Sequence, residues 1–158
     1  MMFRLLTPAD IGELHRVEAE TYLPALHESD EAFLRLIELF PEGAFGFFDE
    51  HGLCGYAFAT PTRAGETLPL RRVLAQIPVD ADTFYIHDVA IAHRCRGRGL
   101  ARQLVERLLT LAAARGFRRS ELVSVQGSAP FWQKFGFETV YEFEYVPGVA
   151  SAKMKRER

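Results

Sequence analysis

The chain has 158 residues, of which 48% are hydrophobic and 25% are charged, and its formal net charge is −2 at pH 7. The length suits one globular domain with a full core, and the composition excludes an intrinsically disordered chain. Because the net charge is slightly negative, we expect no nucleic-acid partner.

Cysteine and hydropathy patterns limit the setting of the protein. With two cysteines no disulfide framework can form, and no Cys/His spacing indicates a metal site, so we expect no metal. No segment approaches the run of about 18 apolar residues that a membrane-spanning helix needs, and the N-terminal residues lack the apolar stretch of a signal peptide. We therefore predict a cytoplasmic protein without a membrane partner, either a monomer or a homodimer.

The first part of the chain predicts a strand followed by two helices. Phe3 to Leu6 is a short apolar run, and Thr7-Pro8 is typical of a helix start, with a polar N-cap before proline. A second helix is expected to begin near Ser29 and to end before Pro41. Three acidic residues of the first helix are expected on its solvent side: Glu13, Glu18 and Glu20.

A β-hairpin and a long connection come next. Ala44 to Phe48 and Leu53 to Thr60 alternate apolar residues on either side of a polar turn that contains Gly52, which is typical of a hairpin. Pro61 to Asp82 shows no periodic pattern, with one helical turn expected at Leu70 to Gln76. A connection of this length inside a compact domain is uncommon and often functional.

The most informative stretch is a strand, a glycine turn and a helix in direct succession. Phe84 to Ile91 is mainly apolar, and the basic turn that follows contains Gly97 and Gly99. Leucines then recur on one face of a helix that runs from Leu100 until Gly116 provides its C-terminal stop. Free backbone N–H groups at such a helix start, together with the helix dipole, make an anion site.

The last part of the chain predicts a strand, a short helix and a final strand. These are Leu122 to Val125, a helix with Ser128 at its N-cap, and Thr139 to Val146. The element order is therefore β-α-α-β-β-β-α-β-α-β, which predicts an α/β (α+β) fold with a mixed, mostly antiparallel central sheet and helices on both faces. Residues 1–148 should form this single domain, and the basic residues 149–158 a flexible C-terminal tail.

Two familiar phosphate-binding motifs fit the glycine turn poorly. A P-loop needs Gly-Lys-Ser/Thr at the helix start, whereas Gly99 is followed by Leu100-Ala101. The dinucleotide fingerprint has an acidic residue about twenty positions further on, which Glu121 would supply, but Arg102 replaces its third glycine. Too little chain follows Glu121 for a doubly wound sheet, so a dinucleotide enzyme stays open only as a further alternative.

A third pattern covers the same turn and much of the chain. Arg96-Gly97-Arg98-Gly99-Leu100-Ala101 matches Arg/Gln-x-x-Gly-x-Gly/Ala, which resembles the acyl-CoA signature of the GNAT family of N-acetyltransferases. Asp88 to Ala92 is similar to that family's fourth strand, and Phe131-Trp132 with Gly136-Phe137 is similar to its C-terminal aromatic and Gly-Phe segment. The resemblance is strongest from Phe84 to Phe137 and agrees with the element order above.

The resemblance implies that the chain binds acetyl-CoA and releases CoA. The pyrophosphate would lie on backbone N–H groups of the glycine turn, and the pantetheine arm would pair with the fourth strand where it separates from the fifth. The charge of the flanking arginines suits a ligand with several phosphates. The residues implied in cofactor binding are Val89, Ala90, Ile91, Arg96, Gly97, Arg98, Gly99, Leu100, Ala101 and Arg102.

Transfer to a primary amine needs a group that takes a proton, because an alkylamine with a pKa near ~10.4 is mostly protonated at neutral pH. In the family, strand-four side chains on the substrate side often take this role, and counting back from Gly99 places His87 and Tyr85 at those positions. Strand alternation puts both on one face and Asp88 on the other, where we expect a structural role. A buried His87 bonded to Tyr85 or to backbone is the alternative.

The leaving thiolate must also be protonated, and here the sequence departs from the family pattern. Trp132 stands where the family commonly has a tyrosine, and an indole N–H is a poor acid. Water, or the hydroxyl of Ser124 or Ser128, would then supply the proton.

The acceptor site should lie between the first two helices and the connection from Pro61 to Asp82. Tyr22, His27 and Glu28 could meet an amine there, and Glu28 could pair with its positive charge. The sequence therefore predicts direct, acetyl-CoA-dependent N-acetylation of a primary amine on a small molecule or a protein. A non-catalytic CoA-binding module is the alternative, and Trp132 favours it.

Overall fold

The computed structural model describes residues 1–158, and the chain forms seven β-strands and four α-helices. The strands are β1 (Met2–Leu5), β2 (Ala44–Asp49), β3 (Gly52–Thr62), β4 (Thr83–Ile91), β5 (Arg119–Val125), β6 (Glu138–Val146) and β7 (Val149–Glu157). The helices are α1 (Ile11–Thr21), α2 (Asp30–Leu39), α3 (Leu100–Ala114) and α4 (Ala129–Gln133). No helix is both long enough and apolar enough to cross a membrane.

All the strands belong to one sheet, in the order β1-β2-β3-β4-β5-β7-β6. Neighbouring strands are antiparallel except β4 and β5, which run parallel. This parallel pairing covers only residues 83–86 against 119–122, and beyond it the two strands separate. The sheet is therefore open at its centre, between the C-terminal halves of β4 and β5.

Helices cover both faces of the sheet. On one face the ring of Phe33 in α2 lies 5.0 Å from the ring of Phe58 and 6.1 Å from that of Tyr56, measured between centroids. On the other face α3 approaches Gly55 so closely that a Cβ there would lie 3.4 Å from Cδ1 of Leu104. Gly55 and Tyr56 are successive residues of β3 and point to opposite faces. The predicted mixed, mostly antiparallel sheet with helices on both faces is confirmed.

A β-bulge interrupts the pairing of β3 with β4. Phe58 pairs with Asp88, and the next residue of β3, Ala59, pairs with Ile86, so that His87 has no partner. A bulge of this kind breaks the regular alternation of side chains along the strand. The expectation that His87 and Asp88 face opposite sides is therefore wrong, because His87 contacts Glu28 just before α2 and Asp88 contacts Tyr56, whose ring packs against α2.

The residues predicted as a flexible tail form β7, which lies between β5 and β6. This strand carries Lys153 and Met154, whose exposed fractions are 2% and 0%. The basic composition suggested a solvated tail, but Nζ of Lys153 lies 3.0 Å from the fully buried carboxylate of Glu121. A buried lysine is tolerated when it is paired in this way. The domain therefore extends to Glu157 instead of ending at residue 148.

One acidic residue of α1 departs from the predicted pattern. Glu18, expected in solvent, is 1% exposed, because it shares a helix face with the buried Leu14 and Val17. Its carboxylate accepts the backbone N–H of Glu28 at 2.6 Å and lies 3.0 Å from Nδ1 of His15. These contacts join α1 to the start of α2.

The connection between β3 and β4 contains no helix. The helical turn expected at 70–76 does not form, since Arg71 has a φ of 63°, which is left-handed. The connection is nevertheless tied to the sheet, because Nζ of Lys153 donates to the carbonyl of Glu66 at 2.8 Å. The buried charge of β7 thus also holds this segment in place.

Candidate active site

A cavity of about 400 Å³, here called the central cleft, lies in the gap where β4 and β5 separate. It extends from the C-terminal end of α1 to the glycine turn before α3 and to α4, and most residues of its wall are apolar. A mainly apolar cleft that reaches a helix N-terminus suits a ligand with an apolar arm and an anionic group.

The edge of β4 that faces the central cleft presents polar backbone groups. The hydroxyl of Tyr22 donates to the carbonyl of Val89 at 2.8 Å. The hydroxyl of Thr21, which donates to the carbonyl of Val17, lies 3.4 Å from the carbonyl oxygen of Ile91. Both carbonyls therefore point away from β3, and the N–H of a strand residue points to the same side as its carbonyl. The N–H groups of Val89 and Ile91 face the cleft, and Ala90 between them also lines it.

The glycine turn closes one end of the central cleft. Gly97 and Gly99 have φ values of 81° and 76°, which L side chains rarely adopt. A Cβ at either position would meet no atom within 4 Å, so these glycines leave open space in front of the turn. Gly99 is the N-cap of α3, and Leu100 and Ala101 in its first turn line the cleft. The free N–H groups of this helix start form an anion site.

The arginines around the turn differ in their surroundings. Arg96 lines the cleft, and its Nη2 donates to the carbonyl of Glu20 at 2.9 Å. Arg102 pairs with Glu106 at 2.8 Å on the outer side of α3, and Arg98 is exposed. The structure thus brings only Arg96 of these three side chains to the cleft wall, and Arg98 and Arg102 can contribute through their backbone N–H groups.

At the other end of the cleft, His87 is paired with Glu28. Nε2 of His87 lies 2.7 Å from Oε2 of Glu28, and the two side chains are 4% and 2% exposed. Burial opposes the charge of each group, but the hydrogen bond and the charge of its partner outweigh burial. The pKa of His87 is therefore raised and that of Glu28 is lowered. Both shifts favour an imidazolium–carboxylate pair.

The three residues predicted to meet a substrate amine have separate surroundings. Glu28 contacts His87, and its other carboxylate oxygen accepts the backbone N–H of Arg71. Nε2 of His27 lies 2.8 Å from the carbonyl of Tyr22, so His27 holds the turn after α1. Of the three, only Tyr22 lines the central cleft.

Tyr85, predicted as a catalytic residue together with His87, lies beside it but away from the cleft. The two ring centroids are 6.3 Å apart, and Tyr85 is 1% exposed. Nζ of Lys153 lies 5.0 Å from the centroid of the Tyr85 ring, and burial raises the pKa of its hydroxyl. Tyr85 is not among the residues that line the central cleft.

A smaller cavity, here called the side chamber, meets the central cleft at His87 and Asp88. Both residues line both cavities, as do Tyr22, Val123 and Val125, so a group bound in the chamber would lie next to a ligand of the cleft. The sequence indicated no role for Asp88 in a site, because regular strand alternation placed its side chain on the face opposite to His87. The bulge brings the two side chains to the same face. The walls of the chamber are Tyr22, Leu26, Leu70, His87, Asp88, Val123, Val125 and Tyr145.

Trp132 occupies both the core and the cleft wall. It is 8% exposed, lines the central cleft, and packs edge to face against Phe131 and Phe137 with centroid distances of 5.1 and 5.7 Å. Of the two serines considered as proton donors, Ser128 lines the cleft. The hydroxyl of Ser124 is instead buried and donates to a carbonyl of β7 at 3.4 Å.

Three possible metal ligands lie together away from the side chamber. The ligand atoms of Asp49, Cys54 and Cys95 are within 4.8 Å of one another. The carboxylate of Asp49, however, is held by the guanidinium of Arg94 at 2.6 and 3.0 Å. A metal ion would have to displace this bidentate partner, and burial raises the pKa of the Cys54 thiol to about 12, which opposes the thiolate form.

Replacing Glu28 with glutamine is expected to destabilise the fold, because it breaks a buried ion pair. Removing one partner of such a pair costs about 3–5 kcal/mol, and since the amide can still bond His87, we expect a loss of about 2–3 kcal/mol near pH 6. Because the pKa of His87 is raised in the folded state, the pair adds its full stability below about pH 6.5, the pKa of histidine in the unfolded chain. This contribution is lost as the pH rises through the folded-state pKa. Urea unfolding should therefore show a smaller difference at pH 9.

Asp30→Asn is the matched control for Glu28→Gln. Its carboxylate lies 2.5 Å from Nε2 of His15, but the side chain is 62% exposed. Loss of an exposed pair of this kind should cost less than about 1 kcal/mol. Equal losses for the two variants would contradict the view that burial makes the His87–Glu28 pair important.

Comparison with known proteins agrees with the cleft and the fold. Residues 11–137 match the sequence model described as the Acetyltransferase (GNAT) family. The chain is 28% identical over 149 residues to serotonin N-acetyltransferase from Mesocricetus auratus, and the match covers 87% of this chain and 68% of that protein.

Several solved structures share the fold at low sequence identity. The loading GNATL domain of CurA from Lyngbya majuscula has a TM-score of 0.85 at 16% identity, covering 99% of this chain and 96% of that one. The GNAT-like decarboxylase GphF in complex with isobutyryl-CoA has a TM-score of 0.82 at 16% identity, with 99% of each chain covered. Ard1 from Thermoplasma volcanium has a TM-score of 0.76 at 17% identity, with 99% and 96% covered. With the family model matching most of its length, this chain belongs to the GNAT family and is an acetyltransferase.

Proposed function

We propose that this acetyltransferase transfers an acetyl group from acetyl-CoA directly to a primary amine. The observation that carries the proposal is that two neighbouring cavities share part of their walls. The central cleft extends from the glycine turn at the start of α3 to His87 and Asp88, which also line the side chamber. One end suits the pyrophosphate of the donor, and the other end suits the two reacting groups.

The residues along the cleft fit acetyl-CoA. Gly97 and Gly99 leave open space at a helix N-terminus, where backbone N–H groups would hold the pyrophosphate. The N–H groups of Val89 and Ile91 face the gap between the strands and would pair with the pantetheine amides. Trp132 and the other apolar residues of the wall would enclose the arm. The donor supplies an activated thioester, and the chain supplies its binding and orientation.

The chemistry requires the amine to reach the thioester in its neutral form. The amine nitrogen then bonds to the carbonyl carbon, the carbon–sulfur bond breaks, and CoA leaves as the thiol after protonation. The protein contributes the proximity of the two reactants and the removal of a proton from the amine. The side chamber brings the amine to the junction where both cavities share His87 and Asp88.

The side chamber favours an amine on an apolar arm. Leucine, valine and tyrosine side chains form most of its wall, and no lysine or arginine lines it. A carboxylate next to the amine, as in a free amino acid, would find no free cationic partner there, because the ring of His87 already pairs with Glu28. One relative is named for the N-acetylation of serotonin, a primary amine on an aromatic arm. We propose arylalkylamines and small alkylamines as acceptors.

An acceptor panel tests this proposal. Tryptamine, serotonin and phenethylamine would be compared with spermidine, lysine and a peptide with a free N-terminus, each with acetyl-CoA, by following release of free CoA thiol. We expect the highest kcat/KM with an arylalkylamine. If none of these amines led to release of CoA thiol, the proposal that the protein N-acetylates such acceptors would be contradicted.

Binding measurements separate the alternatives in the same series. Calorimetric titration with acetyl-CoA, CoA and NAD should show binding of the two CoA species and none of NAD. Binding of CoA without turnover of any amine would instead favour the non-catalytic CoA-binding module, which Trp132 at the usual tyrosine position supports. Binding of NAD alone would favour the dinucleotide reading of the glycine turn.

A further inference from the structure

Asp88 is an acidic residue of β4 at the junction of the two cavities. It lies beside the bulge of β4, where it lines both the central cleft and the side chamber. Oδ2 accepts the hydroxyl of Tyr56 at 2.8 Å. Oδ1 is buried and has no hydrogen-bond partner, and the hydroxyl of Tyr22 nearby donates to the carbonyl of Val89. A buried carboxylate oxygen without a donor is costly unless a ligand supplies one.

His87 is poorly suited to take a proton. Its Nε2 is held by the carboxylate of Glu28 at 2.7 Å, and both side chains are buried. The raised pKa of His87 and the lowered pKa of Glu28 favour the protonated ring. Nδ1 of His87 is also buried without a partner, and in the protonated ring it already carries a proton and cannot accept one. Tyr22 also lines both cavities, but its hydroxyl donates to the carbonyl of Val89, which leaves Asp88 as the acid–base group at the junction.

We infer that Asp88 is the catalytic base, whose Oδ1 binds the ammonium group of the acceptor and takes its proton before the amine attacks the thioester. This inference rests on the proposed function. An N–H bond of the ammonium breaks, and the proton moves to Oδ1. The freed electron pair forms the bond to the carbonyl carbon, and the carbon–sulfur bond breaks. The second proton lost by nitrogen neutralises the leaving thiolate.

The surroundings of Asp88 suit this role. Burial raises the pKa of its carboxyl to about 7, although the charge of His87 and the hydroxyl of Tyr56 lower it. The carboxylate of Glu18 in α1 acts in the same direction as burial. From β6, the titratable residue Tyr145 lines the side chamber. A base with a pKa near the working pH is the most efficient for an alkylamine.

Asp88→Asn tests the inference, because the amide keeps the shape and can still accept from Tyr56. With saturating acetyl-CoA and limiting tryptamine, wild-type kcat/KM should rise with pH and level off above about pH 7, where Asp88 is ionised. At pH 7.5, the kcat/KM of the variant should be about 100-fold lower than that of the wild type. Its kcat/KM should also keep rising toward pH 10 with the fraction of free amine, while its affinity for CoA stays within about twofold of wild type.

Tyr56→Phe is a second variant that leaves the carboxyl in place. Loss of the donor to Oδ2 should raise the pKa of Asp88 and move the plateau to higher pH. If the plateau of kcat/KM against pH did not move in Tyr56→Phe, the inference would be overturned. An Asp88→Asn enzyme that keeps the wild-type plateau would also overturn it. Loss of the plateau in His87→Gln but not in Asp88→Asn would also overturn it. In each of these cases the wild-type activity still supports the proposed function, which fails only if the wild type acetylates no amine.

Discussion

Replacing Gly99 with valine is expected to weaken CoA binding by at least about 100-fold, or about 2.7 kcal/mol. Gly99 has a φ of 76°, where a β-branched residue is strained by roughly 1–2 kcal/mol, and it is the N-cap of α3. No atom of the chain lies within 4 Å of a Cβ at this position. The added side chain would therefore clash with a ligand on the helix N-terminus and not with the protein.

Gly116→Val is the matched control for Gly99→Val. Gly116 follows the other end of α3, with a φ of 82° and no atom within 4 Å of a Cβ. The backbone strain should thus be similar, and thermal unfolding should show similar losses of stability for the two variants. Calorimetric titration with CoA should show near wild-type affinity for Gly116→Val only. Equal losses of CoA affinity would mean that strain in α3, and not the space at its N-terminus, controls binding.

A chain that ends at Gly148 is expected to lose cooperative folding. It lacks β7, which pairs with β5 along 119–125 and separates that strand from β6. The deletion leaves the buried Glu121 without the ammonium of Lys153 and exposes the long edge of β5. These losses together exceed the ~5–15 kcal/mol by which a domain of this size is stable. Urea unfolding followed by circular dichroism should show no sigmoidal transition.

A chain that lacks only Arg158 is the control for this truncation, because β7 ends at Glu157. It should unfold with nearly the wild-type midpoint. Lys153→Met distinguishes the loss of the strand from the loss of its buried charge. Methionine has a similar length, so β7 can stay in place, but Glu121 loses its ammonium partner. We expect a loss of about 3–5 kcal/mol for this variant, which stays folded. A wild-type midpoint for the chain that ends at Gly148 would contradict a structural role of β7.

Local features of the sequence predicted local features of the structure. Ser29 was expected at a helix start, and its Oγ accepts the N–H of Ala32 at 3.2 Å. Gly97 and Gly99 were expected to shape an anion site, and both have positive φ values at the start of α3. Such features can be predicted from the sequence, because helix capping and left-handed backbone conformations depend on residues only a few positions apart.

The end of the central cleft that we propose for catalysis depends on contacts between distant parts of the chain. His87 and Glu28 are 59 positions apart, and their pairing requires the turn after α1 to lie against β4. Strict strand alternation placed Asp88 on the wrong face, because a bulge opposite Phe58 was not visible in the pattern. Glu18 carried a usable signal, since its spacing from Leu14 and Val17 already placed it on the buried face.

By itself, the sequence determined the resemblance to the GNAT family, the order of the first ten elements and the glycine turn of the central cleft. Only the tertiary structure decided which charged groups are buried as pairs. It placed residues 149–157 in a strand between β5 and β6. It also gave His87 a carboxylate partner and left Asp88 an unpaired oxygen at the junction of two cavities. The physical reason is that propensity and glycine geometry act locally, whereas the cost of burying a charge depends on partners that distant segments supply.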